Sequence, residues 1–169
     1  MTAWSSEAAV RVGFVFNFIK IIEWPNANAN PEFHLCVLGA DEETKEVVST
    51  IEGKELNRAI GDQFQKQKIT ITYFADNAYL NLHLGECQMI YKRKRMPNLI
   101  LPHPLPSGAV LVVDEPTSKE QDISIAMKQG DDGRIEFTID QTAVTRAGVN
   151  ISSQLLKLAK ITRGGPIEK

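Results

Sequence analysis

The sequence predicts an α/β three-layer sandwich: a central, mostly parallel sheet with a C-terminal antiparallel hairpin, and helices on both faces. Three observations point there. Short apolar runs such as Phe33–Gly39 and Ala109–Val113, bounded by turn residues, alternate with helical patterns, as strands buried on both faces of a parallel sheet do. Lys68–Phe74 alternates strictly, with Ile69, Ile71 and Tyr73 on one side and Thr70, Thr72 and Phe74 on the other. Gly130-Asp131-Asp132-Gly133 separates two further strand-like runs and puts an Asp-Gly step at their turn.

The elements follow in order. Ser5 or Ser6 caps a first helix running to about Glu23. Val10, Phe14, Asn17 and Ile21 recur at helical spacing, flanked by Phe18 and Ile22, which predicts a buried face with one amide inside it. Trp24-Pro25 stops this helix, because the residue before a proline is pushed out of the α region. Asn26–Pro31 is a loop and Phe33–Gly39 the first strand. A helix is expected within Glu42–Ile60, with Val47, Val48 and Ile51 as its apolar face. Lys68–Phe74 is the next strand, Ala78–Leu84 a short helical turn and Cys87–Tyr91 the third strand. Met96–Ser107 holds four prolines and reads as a helix remnant followed by an irregular loop. Ala109–Val113 is the fourth strand, and Asp122–Lys128 with Arg134–Asp140 forms the hairpin. Thr142–Gly148 is a short helix ended by glycine. Ser152 or Ser153 caps a last helix, Gln154–Ile161, and Arg163–Lys169 is a frayed tail.

No repeat or long linker divides the 169 residues, so 1–169 is read as one domain. A net charge of -2 gives no drive towards nucleic acid or an anionic membrane. The longest apolar stretch, Val12–Ile22, is broken by Gly13, Asn17 and Lys20, and falls short of the roughly 18 residues that suggest a span. No direct membrane insertion is therefore expected. The chain opens Met-Thr-Ala-Trp-Ser-Ser, without a basic and apolar leader. A cytosolic protein and one whose leader is missing from this chain both remain open. The same holds for Cys36 and Cys87: two buried thiols, or one bridge closing a loop of about 50 residues.

Catalytic signatures are missing. There is no G-x-G-x-x-G, Walker loop or G-x-S-x-G elbow, and His34, His83 and His103 lack metal-ligand spacing. No metal or other cofactor is expected, and no enzymatic activity. Asp41-Glu42-Glu43 reads as a helix start whose acids complement the dipole. Lys92-Arg93-Lys94-Arg95 reads as a solvated strand end, with Lys92 and Arg93 the positions that would hold a small anion if one binds.

Several ordered motifs together resemble the YfiR-like family. Phe14, Asn17, Phe18, Trp24 and Pro25 fit its helix pattern F-x-x-N-F-x-x-x-x-x-W-P. Cys36-Val37-Leu38-Gly39, Gly53-Lys54 and Cys87-Gln88-Met89-Ile90 follow in order. Gly133–Asp140, Arg146-Ala147-Gly148 and Ser152-Ser153-Gln154-Leu155-Leu156-Lys157-Leu158-Ala159 complete the set, over about Ala8–Lys160. The motif residues, including Ser152 and Ser153, are read as structural.

The resemblance implies a periplasmic repressor, with Cys36 and Cys87 bridged and a leader removed. Members of that family bind the periplasmic domain of an inner-membrane diguanylate cyclase and hold it inactive. An outer-membrane OmpA-like lipoprotein sequesters them, cyclic-di-GMP then rises and biofilm forms. Homodimers are expected. Two departures stand out: Ser124–Gln129 replaces a Gly-Gly-rich stretch, and Asp140 replaces an Asn. The partner surface is placed on the C-terminal region, at Asp140, Arg146, Val149 and Gln154, with Arg146 and Val149 taken as exposed. The alternative is a periplasmic small-molecule sensing module, for a nucleotide or amino acid, acting on another membrane signalling protein.

Overall fold

The structure is a computed structural model that describes residues 7–24, 32–60, 63–75, 83–93, 105, 108–116, 123–159 and 161–163. Its strands are β1 (Glu32–Leu38), β2 (Glu55–Ile60), β3 (Gln63–Phe74), β4 (Met89–Lys92), β5 (Val110–Asp114), β6 (Ile125–Gln129), β7 (Ile135–Asp140) and β8 (Ile161–Arg163). Its α-helices are α1 (Glu7–Ile21), α2 (Glu42–Val48), α3 (Gln141–Ala147) and α4 (Ser153–Leu158). The strands form one sheet in the order β2-β3-β1-β4-β5-β6-β7-β8. β3, β1, β4, β5 and β6 run parallel, while β2 and β7 each pair antiparallel with a neighbour. The mostly parallel α/β sandwich expected from the sequence is therefore present.

Strand alternation separates the two faces. Leu35, Val37, Tyr91 and Val112 point to the core shared with Val15 and Ile19 of α1, Val48 of α2, Val144 of α3 and Leu155 of α4. Cys36, Leu38, Ile90 and Leu111 point to the opposite core. The 3₁₀ helix Leu84–Glu86 flanks that second face, where the Phe74 ring lies 6.0 Å from His83. Cys36 and Cys87 are joined there by a disulfide across 51 residues of sequence, so the bridge, left open by the spacing, is formed.

The hairpin turns as its sequence requires. Gly130 N–H donates to Arg134 O at 2.8 Å, and Gly133 takes φ +84°, a left-handed conformation cheap only for glycine. Gly148 does the same at φ +78° after α3.

Four expectations need correction. The buried stripe of α1 is Ala8, Arg11, Val12, Val15, Phe18, Ile19 and Ile22; Val10 and Asn17 are exposed, and Phe14 and Ile21 half-buried. Apolar residues surround most of α1, so periodicity gave several phases and packing on the sheet selected one. The helix expected in Glu42–Ile60 ends at Val48, and Glu55–Ile60 is edge strand β2. It pairs antiparallel with the strand that follows it, from Ile60 with Gln63 to Glu55 with Lys68, and this pairing overrode propensity. The last helix stops at Leu158 rather than Ile161. Ile161–Arg163 then pairs with Thr138–Asp140 as β8, so Arg163, expected in the frayed tail, is part of a strand. The helix start at Ser5 or Ser6, the turn at 78–82 and most of the proline-rich segment lie outside the described residues.

Candidate functional site

Chain order reverses at β1: β3 lies on one side of it and β4 to β6 on the other. In open parallel sheets, such a switch point opens a crevice at the carboxyl ends of the strands. Here that end holds a buried charge cluster. Asp114, the last residue of β5, is fully buried. Its Oδ2 accepts from Tyr91 Oη and from Arg93 Nη1, both at 2.7 Å. Its Oδ1 lies 3.4 Å from Nη1 of Arg11, which is itself completely buried on α1. Arg93 Nε donates to Thr44 Oγ1 of α2 at 2.9 Å. Arg11 Nη2 donates to Glu115 Oε2 at 2.9 Å, and the same oxygen accepts from Gln129 N–H at the end of β6.

Two guanidinium groups thus face two carboxylates, and the cluster is charge-balanced. It links α1, α2, β4, β5 and β6 through one carboxylate pair. Buried ion networks add little net stability over apolar packing but are expensive to break, so they act mainly as registration devices. Glu115 has φ +49°, left-handed for a residue with a Cβ, which costs about 1 kcal/mol or more. Its two side-chain hydrogen bonds, and its N–H donating to Met127 O at 2.7 Å, hold it there.

Burial, reinforced by the Asp114 charge, pushes the Tyr91 hydroxyl well above its ordinary value of 10.0. Burial works against the Arg93 charge, yet Tyr91 and Asp114 outweigh it and hold the guanidinium cationic. On the surface, hydrogen bonds from Thr44 lower the Asp41 carboxyl. The neutral form of Tyr91 is favoured in the fold, so the stabilisation is complete below about pH 10 and is lost as pH rises towards the folded value. Chemical denaturation between pH 8 and pH 11 is expected to show the native protein weakening above about pH 10. In Tyr91→Phe that slope is expected to flatten; an unchanged slope would remove Tyr91 as its source.

The sequence-assigned positions are dispersed. Lys92 and Arg93 are buried, at 3% and 6% exposure, which corrects the solvated strand end. Arg93 is committed to Asp114 and Thr44. Asp41 caps α2, accepting from Thr44 N–H at 2.8 Å, as its helix-start reading requires. Trp24 Nε1 donates to Gly108 O at 2.9 Å and its ring meets Phe33 edge-on at 4.9 Å. Phe18 is buried and stacks beside Phe14 and Phe137, while Pro25 lies outside the described residues.

The C-terminal group sits at the other end of the sheet. Asp140 Oδ1 caps α3 through Thr142 and Ala143 N–H, a task Asn performs equally well. Arg146 and Gln154 are exposed, but Val149 is buried at 5% exposure, against expectation. It lies beside the bridge in which Glu23 and Asn150 exchange backbone hydrogen bonds, tying the end of α1 to this loop. Ser152 Oγ accepts from Leu155 N–H at 3.1 Å, and Ser153 opens α4. Ser152→Ala and Asp140→Ala are each expected to cost about 1 kcal/mol in urea denaturation, and Asp140→Asn only a few tenths. A loss of 1 kcal/mol or more in Asp140→Asn would show that Asp140 does something other than cap.

Sequence reasoning passed over Arg11, Tyr91, Thr44, Asp114 and Glu115. The one available signal was an arginine on an apolar helix and an Asp ending an apolar strand. No group of His, Cys, Asp or Glu that could hold a metal ion is found among the described residues. No described helix is long and apolar enough to cross a membrane.

A search of curated proteins gives no match. Residues 8–160 match the YfiR/HmsC-like family, a span that runs from the first turns of α1 past the end of α4. That is most of the 169 residues, and the chain belongs to the YfiR/HmsC-like family.

Proposed function

We propose that this protein is a periplasmic regulator that binds the sensor domain of an inner-membrane diguanylate cyclase and holds it inactive, restraining cyclic-di-GMP and biofilm formation. The observation that carries this reading is the family match over residues 8–160. The Cys36–Cys87 disulfide supports it, because such bonds persist in oxidising compartments. Repression is a population shift: the regulator lowers output only by binding the inactive sensor more tightly than the active one. An outer-membrane OmpA-like lipoprotein would relieve it by competing for the regulator.

Small-molecule sensing is the weaker reading, since the Arg93 guanidinium at the switch point already serves Asp114 and Thr44. The partner surface to test first is the exposed pair Arg146 and Gln154. Arg146→Glu is expected to weaken capture of the cyclase periplasmic domain by about tenfold in calorimetric titration, and to raise cyclic-di-GMP in cells. If the native protein neither binds any co-encoded cyclase domain nor changes cyclic-di-GMP when deleted, the repressor reading is wrong.

A further inference from the structure

We propose that the Glu115 carboxylate is a tethered occupant of an anion-binding subsite, built by Arg11 and the end of β6, and that a free organic carboxylate can displace it. Glu115 follows β5 at the carboxyl end of the sheet, the end at which open α/β sheets take their ligands. Its Oε2 accepts from Arg11 Nη2 and from the Gln129 N–H, both at 2.9 Å. A guanidinium and a strand-end amide thus converge on one carboxylate position. Arg93, committed to Asp114 and Thr44, takes no part.

Exposure sets Glu115 apart from the rest of the cluster. The side chains of Arg11 and Asp114 are 0% exposed and that of Arg93 7%, whereas that of Glu115 is 37% exposed. The position its carboxylate fills therefore borders solvent, and a small acid can reach Arg11 once the side chain swings out.

The backbone supplies the second argument. Among the described residues, Glu115 is the only residue other than glycine with a positive φ. A turn that needed only this conformation would take Gly or Asn. Glu115 reaches Arg11 at the cost of strain, and a displaced Glu115 can relax. A free carboxylate carries no such cost. It can also turn so that one oxygen meets Arg11 and the other Gln129, whereas Glu115 places both bonds on Oε2.

Charge supplies the third. Arg11 and Arg93 balance Asp114 and Glu115, so withdrawing the Glu115 carboxylate leaves one guanidinium in excess in the core. An uncompensated buried charge is expensive, and an entering anion restores the balance. The native site is protected by proximity: a tethered carboxylate competes at high effective concentration, so free acids enter only in excess. Displacement unties the Glu115 side chain from α1 and from the end of β6, which makes the subsite a ligand-operated latch.

Acetate is the probe, on the full chain, with chloride at equal ionic strength as the control. Glu115→Gly and Glu115→Asn both suit the left-handed backbone and vacate the position. Acetate should stabilise each of them saturably, the folding equilibrium constant rising about 11-fold at ten times the dissociation constant. A variant unfolded in chloride should fold in acetate. Adding Arg11→Met to Glu115→Asn leaves Arg93 and Asp114 balanced without an anion and should abolish the response. In the native protein, the Glu115 and Gln129 amide resonances should move with acetate at concentrations at least about tenfold higher. Equal effects of acetate and chloride on both variants, or an undiminished response without Arg11, overturn the proposal. Native resonances that stay fixed while the variants bind acetate would make Glu115 a permanent anchor and overturn displacement. None of these outcomes depends on the repressor reading, which stands or falls on cyclase binding.

Discussion

Asp114→Asn is expected to cost the fold about 3–5 kcal/mol, the loss that follows when one member of a buried ion pair is removed. The side chain is fully buried, and it receives Tyr91, Arg93 and Arg11 at once. Asparagine keeps the shape but withdraws the negative charge, leaving two guanidinium groups in the core with only Glu115 to answer them. The measurement is the urea midpoint at constant slope. A loss below about 1 kcal/mol would mean that water or rearrangement already screens the cluster. Arg11→Met should cost less, since Asp114 keeps Arg93 and Tyr91 and only the longer Arg11 contact is lost. Replacing Arg11, Arg93 and Asp114 together with Met, Met and Leu should recover much of the loss, because no fully buried charge is left and Glu115, the one carboxylate that loses its partner, is partly exposed. That recovery would distinguish a registration device from a net source of stability.

Removing the disulfide is the second large effect. Cys36→Ala with Cys87→Ala opens a loop closed across 51 residues, for which loop-closure entropy gives about 4 kcal/mol. Both cysteines are 4% exposed and pack with Leu38, Ile90 and Leu111, so alanine also leaves a small void. The bridge joins the strands on either side of the switch point, β1 and the residues entering β4. Its loss should therefore loosen β4 before the β6–β7 hairpin. Hydrogen exchange in the presence and absence of a reductant would show the order. Equal protection of β4 with and without the bond would sink this account.

Much of the fold was legible because strand burial is a local signal. Phe33–Leu38 and Val110–Val113 are apolar on both sides, and only a sheet covered on both faces uses such strands. The Asp132-Gly133 turn, the Gly148 stop and the Ser152 cap are also local, since each meets a backbone demand within a few residues. β2 and β8 were not legible. Both are edge strands, and an edge strand takes its conformation from the neighbour it pairs with more than from its own side chains.

The charge cluster was hidden for a related reason. Arg11 and Asp114 are 103 positions apart, and a lone arginine on a helix reads as a solvated one until the sheet is in place. Asn17 shows the same limit from the other side. Its apolar neighbours suggested burial, and only the packing of α1 on the sheet shows that it faces outward.

By itself, then, the sequence determined the periodicities, the turns, the caps and the ordered motifs of the YfiR/HmsC-like family, because each depends on contacts within a few residues or on residue identity alone. The tertiary structure decided which side of α1 is buried, which strands lie at the edges, and that Arg11, Arg93, Asp114 and Glu115 meet at the carboxyl end of the sheet. Those outcomes rest on long-range pairing and on the high cost of an unmatched charge in a core, and neither is written at any single position.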